Sequence, residues 1–321
     1  MHSFTDLSAA FEKQFDKRHF PVHPATLYDA AQYILRIGGK RVRPVSVLMG
    51  CELFGEVCDD AYEVANAVEL FHNFSLIHDD IMDKAPLRRG FETVHHKHGE
   101  STALLAGDVM LVVAYEQLNK INPSKIQPVI SLFSKTAKEV CEGQQIDMDF
   151  EKQENVSLDQ YLNMITLKTS VLLAASLQLG GIIGGASENN QKHLYEFGKN
   201  IGIAFQIQDD YLDAFGNPDK FGKQVGGDIL ANKKTFLWIH ALDVANDQQR
   251  EELNSLMHYN DEDKVAKVLK IYADCNVAEW ASTLKEKYYN QAIQHLEEVA
   301  VSQMRKSELE KLARYLLQRE S

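Results

Sequence analysis

The stretch Val64-Ala-Asn-Ala-Val-Glu-Leu-Phe-His-Asn-Phe-Ser-Leu-Ile-His-Asp-Asp-Ile-Met-Asp83 is an apolar segment with helical spacing that ends in Asp-Asp-x-x-Asp. The same acidic pattern recurs as Asp209-Asp-Tyr-Leu-Asp213, again late in an apolar segment. Positions i and i+4 lie on one face of an α-helix, about 6 Å apart. Asp79 therefore shares a face with Asp83, and the second copy repeats this arrangement. Like charges at this spacing destabilise an isolated helix, so two copies favour a bound cation.

A single acidic triplet of this kind is a weak indicator, because such triplets are common on solvated helix faces. Two copies placed late in apolar helices favour a functional interpretation. Hard oxygen ligands suit Mg2+, which binds through one or two carboxylates and completes its octahedron with water and phosphate oxygens. The pattern therefore predicts two acidic helix faces that clamp one diphosphate through shared Mg2+.

Composition is that of an ordinary globular protein: 321 residues, 45% apolar and 25% charged. We find no Pro-rich, Ser-rich or low-complexity linker, and the two acidic motifs are expected to face one another, so we predict a single domain over residues 1–321. A net charge of −12 without a basic stripe argues against a nucleic-acid partner.

Cysteine usage and hydropathy predict a cytoplasmic location. The four cysteines (Cys51, Cys58, Cys141 and Cys275) are scattered without metal-ligand spacing, as in a reducing compartment. The first residues lack the pattern of a signal peptide. We find no apolar run approaching 18 residues and so expect no stable membrane insertion.

Helical periodicity dominates the chain, and strand alternation and Asn-Gly or Asp-Gly hairpin signals are lacking. The fold is therefore predicted to be all-α. Gly180–Ala186 lacks the strand and the spacing of a nucleotide-binding loop and favours a helix end or a close helix contact. The predicted helices are 26–37, 44–54, 60–82, 101–120, 125–150, 157–183, 189–213, 233–246, 249–258, 262–274, 277–301 and 306–319.

Cations that a diphosphate would need occur in four places. Gly38-Gly-Lys-Arg-Val-Arg-Pro44 places three of them at the start of a predicted helix, where phosphate binds well, although a solvated basic loop is the alternative. Arg88-Arg89-Gly90 follows the first acidic motif, where a surface turn is the alternative. Lys168 lies in an apolar helical segment and should point to an anion, because an unpaired buried Lys is costly. The loop 216–228, with four glycines, Lys220 and Lys223, suits a mobile lid, and Lys233 and Lys234 follow it.

Other polar residues align with the acidic faces by helical spacing. His72 lies two turns before the first motif, although a core histidine bonded to backbone is an open alternative. Gln206 lies three residues before the second motif, and Gln144 and Asp147 form a further polar pair. His95–His98 is a His-rich cluster, but zinc is not expected because no matching Cys or His pair follows.

The order of the motifs resembles that of the trans-isoprenyl diphosphate synthases, the polyprenyl synthetase family. The resemblance spans about residues 38–235 and rests on Gly-Gly-Lys-Arg-x-Arg-Pro, His-Asn-Phe-Ser-Leu-Ile-His-Asp-Asp-Ile-Met-Asp, Leu-Arg-Arg-Gly, Gly-Gln-Gln-x-Asp, Lys-Thr and Phe-Gln-Ile-Gln-Asp-Asp-Tyr-Leu-Asp. It implies a helical bundle around a deep central cavity, three Mg2+ and a homodimer. It also implies 1′-4 condensation of an allylic diphosphate (dimethylallyl, geranyl or farnesyl) with isopentenyl diphosphate.

Roles for individual residues follow from the resemblance. Asp79, Asp83 and Asp209 would bind Mg2+, and Asp80 and Asp213 would support them, either through water or through contacts with the ligands. Catalysis would involve these three ligands together with Lys168, Thr169 and Gln206. The allylic diphosphate would contact Arg88, Lys168, Thr169, Gln206, Lys223 and Lys233, and isopentenyl diphosphate would contact Gly39, Lys40, Arg43, His72 and Arg89.

Product length in this family depends on bulk below the first aspartates, here Phe71, Phe74 and Ser75. Phe74 lies five residues before Asp79, about 7.5 Å down the helix axis and about 140° around it, so its role rests on the resemblance. An aromatic residue there favours C15 to C20 products, and we favour C20. The first motif has two residues between its aspartates, where many bacterial short-chain members have four, so a bacterial-type farnesyl synthase is disfavoured.

Other classes of protein fit less well. A terpene cyclase shares the first acidic motif but usually replaces the second, which is intact here. A non-catalytic regulatory subunit is expected to lack some of the aspartates or cations, and a structural scaffold has no need to bury them.

Replacing Phe74 with Ala is expected to lengthen the products, because it removes the bulk that stops chain growth. Chromatography of the products of the wild-type protein and of Phe74→Ala checks this. An unchanged product length would show that the assignment of the floor is wrong.

Overall fold

The computed structural model describes residues 1–216, 226–257 and 263–318. Within these ranges the backbone is helical apart from short loops and one two-stranded hairpin, which confirms the predicted all-α fold. Lys220 and Lys223 lie outside the described residues.

The helices differ widely in length. The longest are α7, of 30 residues, and α10, of 28. The hairpin strands are β1 (Leu87–Arg88) and β2 (Phe91–Glu92). The helices are α1 (Phe4–Phe15), α2 (Ala25–Arg36), α3 (Val42–Glu52), α4 (Asp59–Met82), α5 (Val94–His98), α6 (Glu100–Leu118), α7 (Pro123–Lys152), α8 (Leu158–Ile165), a π-helix (Thr166–Ser170), α9 (Val171–Gly184), α10 (Glu188–Phe215), α11 (Gly227–Leu230), α12 (Phe236–Val244), α13 (Asp247–Leu256), α14 (Lys264–Asp274), α15 (Val277–Glu298) and α16 (Gln303–Leu317).

The chain divides into two compact units. The first comprises Met1–Ala137, Leu172–Tyr195 and Glu298–Glu308, and the second comprises Lys138–Val171, Glu196–Glu297 and Leu309–Ser321. The single domain over residues 1–321 stays a prediction.

Close contact between α3 and α9 is a feature of the first unit. A Cβ added at Gly180 would lie 2.1 Å from the carbonyl oxygen of Val47, and one added at Gly50 would lie 2.4 Å from that of Leu177. Real Cβ atoms do not approach backbone so closely, so glycine is required at both positions. Gly180–Ala186 is therefore a helix contact that ends α9, as the sequence indicates.

The second unit has its own apolar core, formed by side chains from α8, α10 and α12 to α15. Tyr161, Phe236 and Trp280 pack in succession, with ring centroids 5.8 and 5.7 Å apart. Tyr161, Met164 and Ile165 of α8 belong to this core, and α8 leads directly into the segment that carries Lys168 and Thr169.

The segment Leu158–Gly184 has the length and apolar composition of a membrane span, contrary to the expectation from the sequence. In the structure, 72% of its most apolar window is buried inside the protein, as in a core helix. The absence of stable membrane insertion and the cytoplasmic location stay predictions.

Most predicted helices are confirmed within a few residues. The predicted helix 60–82 is Asp59–Met82, whereas the predicted helix 157–183 is wrong in being continuous, because the π-helix interrupts it. α1 was not predicted, although Ser3 and Asp6 form a capping box at its start. The hairpin, whose turn is Arg89-Gly90, was not predicted either.

Candidate active site

The first acidic motif lies at the C-terminal end of α4, whose last helical residue is Met82 and whose C-cap is Asp83. The backbone N–H of Asp83 donates to the carbonyl of Asp79 at 2.9 Å. Asp79 is partly exposed and Asp83 is exposed, whereas Asp80 between them is only 2% exposed. Successive helical residues lie 100° apart, so the middle carboxylate points into the protein while the other two stay accessible.

Asp80 is paired with Arg88 of the hairpin. Nε of Arg88 donates to both carboxylate oxygens of Asp80, at 2.9 and 2.8 Å, and Nη2 lies 2.7 Å from Oδ1. The same Nη2 lies 3.4 Å from Oδ2 of Asp79. Burial alone would lower the pKa of Arg88, but the hydrogen bonds and charge of Asp80 outweigh it and raise that pKa. Asp80 therefore anchors a cation beside the exposed carboxylates.

Arg89 occupies the turn of the hairpin, and its φ of 54° with 80° at Gly90 gives two residues of positive φ. This is the pattern of a type I′ turn, which is well suited to two-residue hairpins. A Cβ added at Gly39 would lie 2.7 Å from Nη1 of Arg89. Gly39 thus lets the Arg89 guanidinium approach the loop that carries Lys40.

His72 and Arg43 form a further contact in the first unit. Nη1 of Arg43 lies 3.2 Å from Nε2 of His72. Burial lowers the pKa of His72 well below its usual value, and the nearby charges of Arg43 and Arg89 add to this. The imidazole is therefore neutral and accepts from Arg43. Lys40, three residues before Arg43 in the chain, is exposed.

The second acidic motif lies near the C-terminal end of α10, in the second unit. Asp209 and Asp213 are partly exposed. Oδ2 of Asp213 accepts from the backbone N–H of Asp228 at 2.9 Å, and its carbonyl accepts from that of Gly226 at 2.7 Å. These two hydrogen bonds hold the start of α11 against the second acidic motif. Lys233 follows, with Nζ 3.4 Å from Oδ1 of Asp228.

Asp210 is buried, like Asp80, and takes part in a chain of hydrogen bonds. Tyr161 donates to its Oδ2 at 2.5 Å, and Nε2 of Gln206 donates to its Oδ1 at 2.8 Å. Thr169 in turn donates to Oε1 of Gln206 at 3.1 Å. Burial raises the pKa of Asp210 to about 7, with a further contribution from Asp228. These hydrogen bonds fix both the oxygen and the nitrogen of the Gln206 amide.

Lys168 lies in the π-helix, and its Nζ donates to Oδ2 of Asp147 at 2.6 Å. The anion expected for this lysine thus includes a carboxylate from α7. A Cβ added at Gly143 would lie 2.3 Å from the Lys168 nitrogen, and one at Gly202 would lie 2.7 Å from Cα of Ser170. Two glycines therefore admit the wide π-turn, a feature frequent at functional sites.

The proposed floor residues lie on α4. The Phe74 ring packs on Phe71 at 5.5 Å and edge-on to His78 at 4.7 Å. The Ser75 hydroxyl donates to the carbonyl of His72 at 2.8 Å. The control of product length by Phe71, Phe74 and Ser75 stays a prediction.

The accessible carboxylates of each motif suit Mg2+ that also takes ligands from a diphosphate and from water. Within the described ranges, no three His, Cys, Asp or Glu side chains lie close enough to form a metal cage by themselves. Mg2+ usually takes one or two carboxylates together with phosphate oxygens and water, and each motif offers two exposed or partly exposed carboxylates. The donors thus suit a metal that binds with its diphosphate. The accessible donors are Asp79 and Asp83 in the first unit and, separately, Asp209 and Asp213 in the second. The carboxylates of Asp80 and Asp210 are engaged by other side chains.

Tyr161 was not predicted as part of the site. Asp210 was identified only as a member of the second acidic motif, without a role of its own, and Asp147 was given no pairing with Lys168. The position of Asp210 on the helical wheel, 100° from Asp209, would have indicated burial. The role of Asp147 depends on the packing of α7 and carries no local signal. Lys223, a predicted ligand of the allylic diphosphate, lies outside the described residues.

Comparisons with known proteins agree with the resemblance. The family model for polyprenyl synthetase matches residues 24–275. A short chain isoprenyl diphosphate synthase of Methanothermobacter thermautotrophicus is 38% identical over 300 residues, which are 93% of this chain and 92% of that protein. A geranylgeranyl diphosphate synthase of Saccharolobus solfataricus is 37% identical over 317 residues, which are 96% of this chain and 93% of the relative.

The similarity to known proteins includes the fold, as a comparison with solved structures shows. The crystal structure of a geranylgeranyl pyrophosphate synthase matches with a TM-score of 0.94 and 42% identity, covering 100% of both chains. The chain belongs to the polyprenyl synthetase family.

Tyr161→Phe is expected to lower the free energy of unfolding by about 1.5–3 kcal/mol, because it removes a hydrogen bond to a buried carboxyl group. Tyr115→Phe is the matched control, since Tyr115 bonds the neutral Ser134 hydroxyl at 3.0 Å and its loss should cost about 0.5–1.5 kcal/mol. Urea denaturation of both variants measures the difference. Equal losses would contradict a special role for the Tyr161 hydroxyl.

Proposed function

We propose that this chain is an Mg2+-dependent trans-prenyltransferase that condenses an allylic diphosphate with isopentenyl diphosphate. The observation that carries the proposal is that each Asp-Asp-x-x-Asp motif leaves its first and last carboxylates accessible and has cations beside it. The curated relatives, named as isoprenyl and geranylgeranyl diphosphate synthases, support it. We propose further that both motifs serve this one reaction and that residues 1–321 act as a single domain.

The reaction needs a departing diphosphate, an allylic cation and an attacking double bond. Up to three bound Mg2+ would supply Lewis-acid stabilisation of the leaving group. Lys168 and Arg88 are each held by a carboxylate, and both are assigned to the allylic diphosphate in this proposal. Lys223 and Lys233 are assigned to the same substrate. Fixed dipoles stabilise charge that develops during a reaction, and Thr169 and Gln206 supply them for the allylic cation.

Isopentenyl diphosphate is assigned to Gly39, Lys40, Arg43, His72 and Arg89. The bond between C1 and oxygen of the allylic substrate breaks, the isopentenyl double bond attacks C1, and a proton is then lost to an oxygen of the released diphosphate. The side chains bind, orient and stabilise charge, and none serves as a nucleophile. His72 is neutral, so it can orient Arg43 for the diphosphate of isopentenyl diphosphate without adding a charge.

The product is proposed to be a C15 to C20 prenyl diphosphate, with C20 favoured. The names of the Saccharolobus relative and of the solved structure, both geranylgeranyl synthases, support C20. The aromatic Phe74 before the first motif supports a short product.

Incubation of the protein with Mg2+, isopentenyl diphosphate and C5, C10 or C15 primers is expected to give prenyl diphosphates up to C20, sized by chromatography. Asp79→Asn and Asp209→Asn should lower kcat by about 100-fold or more, because each removes a carboxylate that would hold the Mg2+ needed to stabilise the departing diphosphate. Chelation of Mg2+ should abolish turnover. Asp274→Asn is the matched control, an exposed carboxylate at the end of another helix, α14. Condensation with none of the primers would refute the proposal.

We also propose that the protein is a homodimer that pairs through α6. Leu104, Leu105 and Val112 of this helix are exposed, and exposed apolar faces of this kind mark interaction sites. A second copy of the same face would cover them, as in the isologous interfaces of two-fold dimers.

Sedimentation of the wild-type protein is expected to give twice the monomer mass of 36.3 kDa. Leu105→Lys should shift the protein towards monomer, because it places a charge in the apolar contact. Val244→Lys, at an exposed apolar residue of α12, serves as control and should leave the dimer intact. A wild-type protein that sediments as a monomer at micromolar concentration would exclude the dimer.

A further inference from the structure

Arg41 lies between Lys40 and Arg43, two cations assigned to isopentenyl diphosphate, yet its side chain is directed into the protein. It is only 6% exposed, whereas Lys40 is exposed. Its backbone has a φ of 51°, in the left-handed region that an arginine seldom adopts. The buried side chain of Arg41 is therefore not available to bind a substrate directly.

The guanidinium of Arg41 is held on three sides. Nε donates to Oε1 of Glu12 at 2.8 Å, Nη2 donates to the carbonyl of Leu35 at 3.1 Å, and Nη1 donates to the buried carboxylate of Glu69. Its carbon lies 5.3 Å from the ring centroid of Phe15. Burial alone would lower the pKa of Arg41, but Glu69 and Glu12 outweigh it and raise that pKa. The cation is therefore fixed by the protein itself.

Glu69, the central partner, is in turn fixed by α4. Nδ2 of Asn73 donates to its Oε1 at 3.0 Å and to its backbone carbonyl at 2.8 Å. His72, which contacts Arg43, belongs to the same turn of the helix. One turn of α4 thus holds Arg41 through Glu69 and Arg43 through His72.

Arg41 also marks the start of α3. It is the residue before the first helical position, Val42, and its carbonyl accepts from the N–H of Val45 at 3.1 Å. Fixing Arg41 therefore fixes both the residue before it, Lys40, and the first turn of the helix, which carries Arg43.

We propose that Arg41 is a positioning residue that, with Glu69 as its anchor, holds Lys40 and Arg43 in place for the diphosphate of isopentenyl diphosphate. The inference rests on the proposed function and adds a residue that binds no substrate itself. Cations held in place before binding lose less freedom when the ligand arrives, so affinity is gained. Substrate groups bound elsewhere do not depend on this contact.

The test uses the double variant Arg41→Gln/Glu69→Gln, because removing one partner alone leaves a buried charge unpaired and is strongly destabilising. Thermal unfolding establishes that the variant is folded. We expect the KM for isopentenyl diphosphate to rise about tenfold, equivalent to about 1.4 kcal/mol, with the KM for the allylic primer and kcat unchanged. Arg18→Gln, which removes an exposed pair with Asp29, is the control and should change neither KM.

Glu12→Gln is the second variant, because it keeps the Glu69 contact and so tests the positioning even if the double variant does not fold. A smaller rise, again confined to the KM for isopentenyl diphosphate, is expected. An unchanged KM for isopentenyl diphosphate in a folded variant would overturn the proposal. An equal rise for both substrates would overturn it too, since that is the mark of general loosening.

Calorimetric binding of isopentenyl diphosphate separates this inference from the proposed function. If the wild-type protein binds isopentenyl diphosphate without turning it over, the proposed function fails. Weaker binding by the variants would still support the role of Arg41. Equal binding by the wild-type protein and the folded variants would overturn that role while the proposed function stands on turnover.

Discussion

A buried carboxylate must be paired or hydrogen-bonded, and this requirement applies once within each acidic motif. Asp80 meets it through Arg88, and Asp210 meets it through Tyr161 and Gln206. Since neighbours on a helix differ by 100° in direction, burying the second aspartate leaves the first and the last at the surface. The Asp-Asp-x-x-Asp spacing therefore accounts both for the accessible first and last carboxylates and for the buried second one.

The interior contacts also orient the groups that would touch substrate. Asp80 fixes the guanidinium of Arg88 beside Asp79, and Asp210 fixes the amide of Gln206, which is held at its other end by Thr169. Precise placement before the substrate arrives is a large source of catalytic rate, because reorientation is then avoided. In both units the same arrangement recurs, a buried carboxyl group that sets the direction of a polar side chain.

The sequence predicts helices well where the apolar spacing is continuous along one segment. It does not predict features that depend on contacts with distant parts of the chain. The predicted helix 60–82 matches Asp59–Met82 closely, because its apolar spacing is continuous up to the acidic motif. The π-helix at 166–170 depends on Gly143 and Gly202 from other helices, so the local pattern predicted an uninterrupted helix. Arg41 and Arg43 are identical in type and two residues apart, and only the distant Glu12 and Glu69 show that one is structural.

The turn of the hairpin has a consequence for how this protein responds to selection. Two-residue hairpin turns prefer Asn-Gly, whereas here the first position is Arg89 with a φ of 54°. Arginine, unlike glycine and asparagine, is poorly suited to the left-handed region, and placing it there costs about 1–3 kcal/mol. Selection for heat resistance and selection for a guanidinium therefore oppose each other at this position. A homologue adapted for stability alone would be expected to carry Asn or Gly there, and it would lose one of its cations.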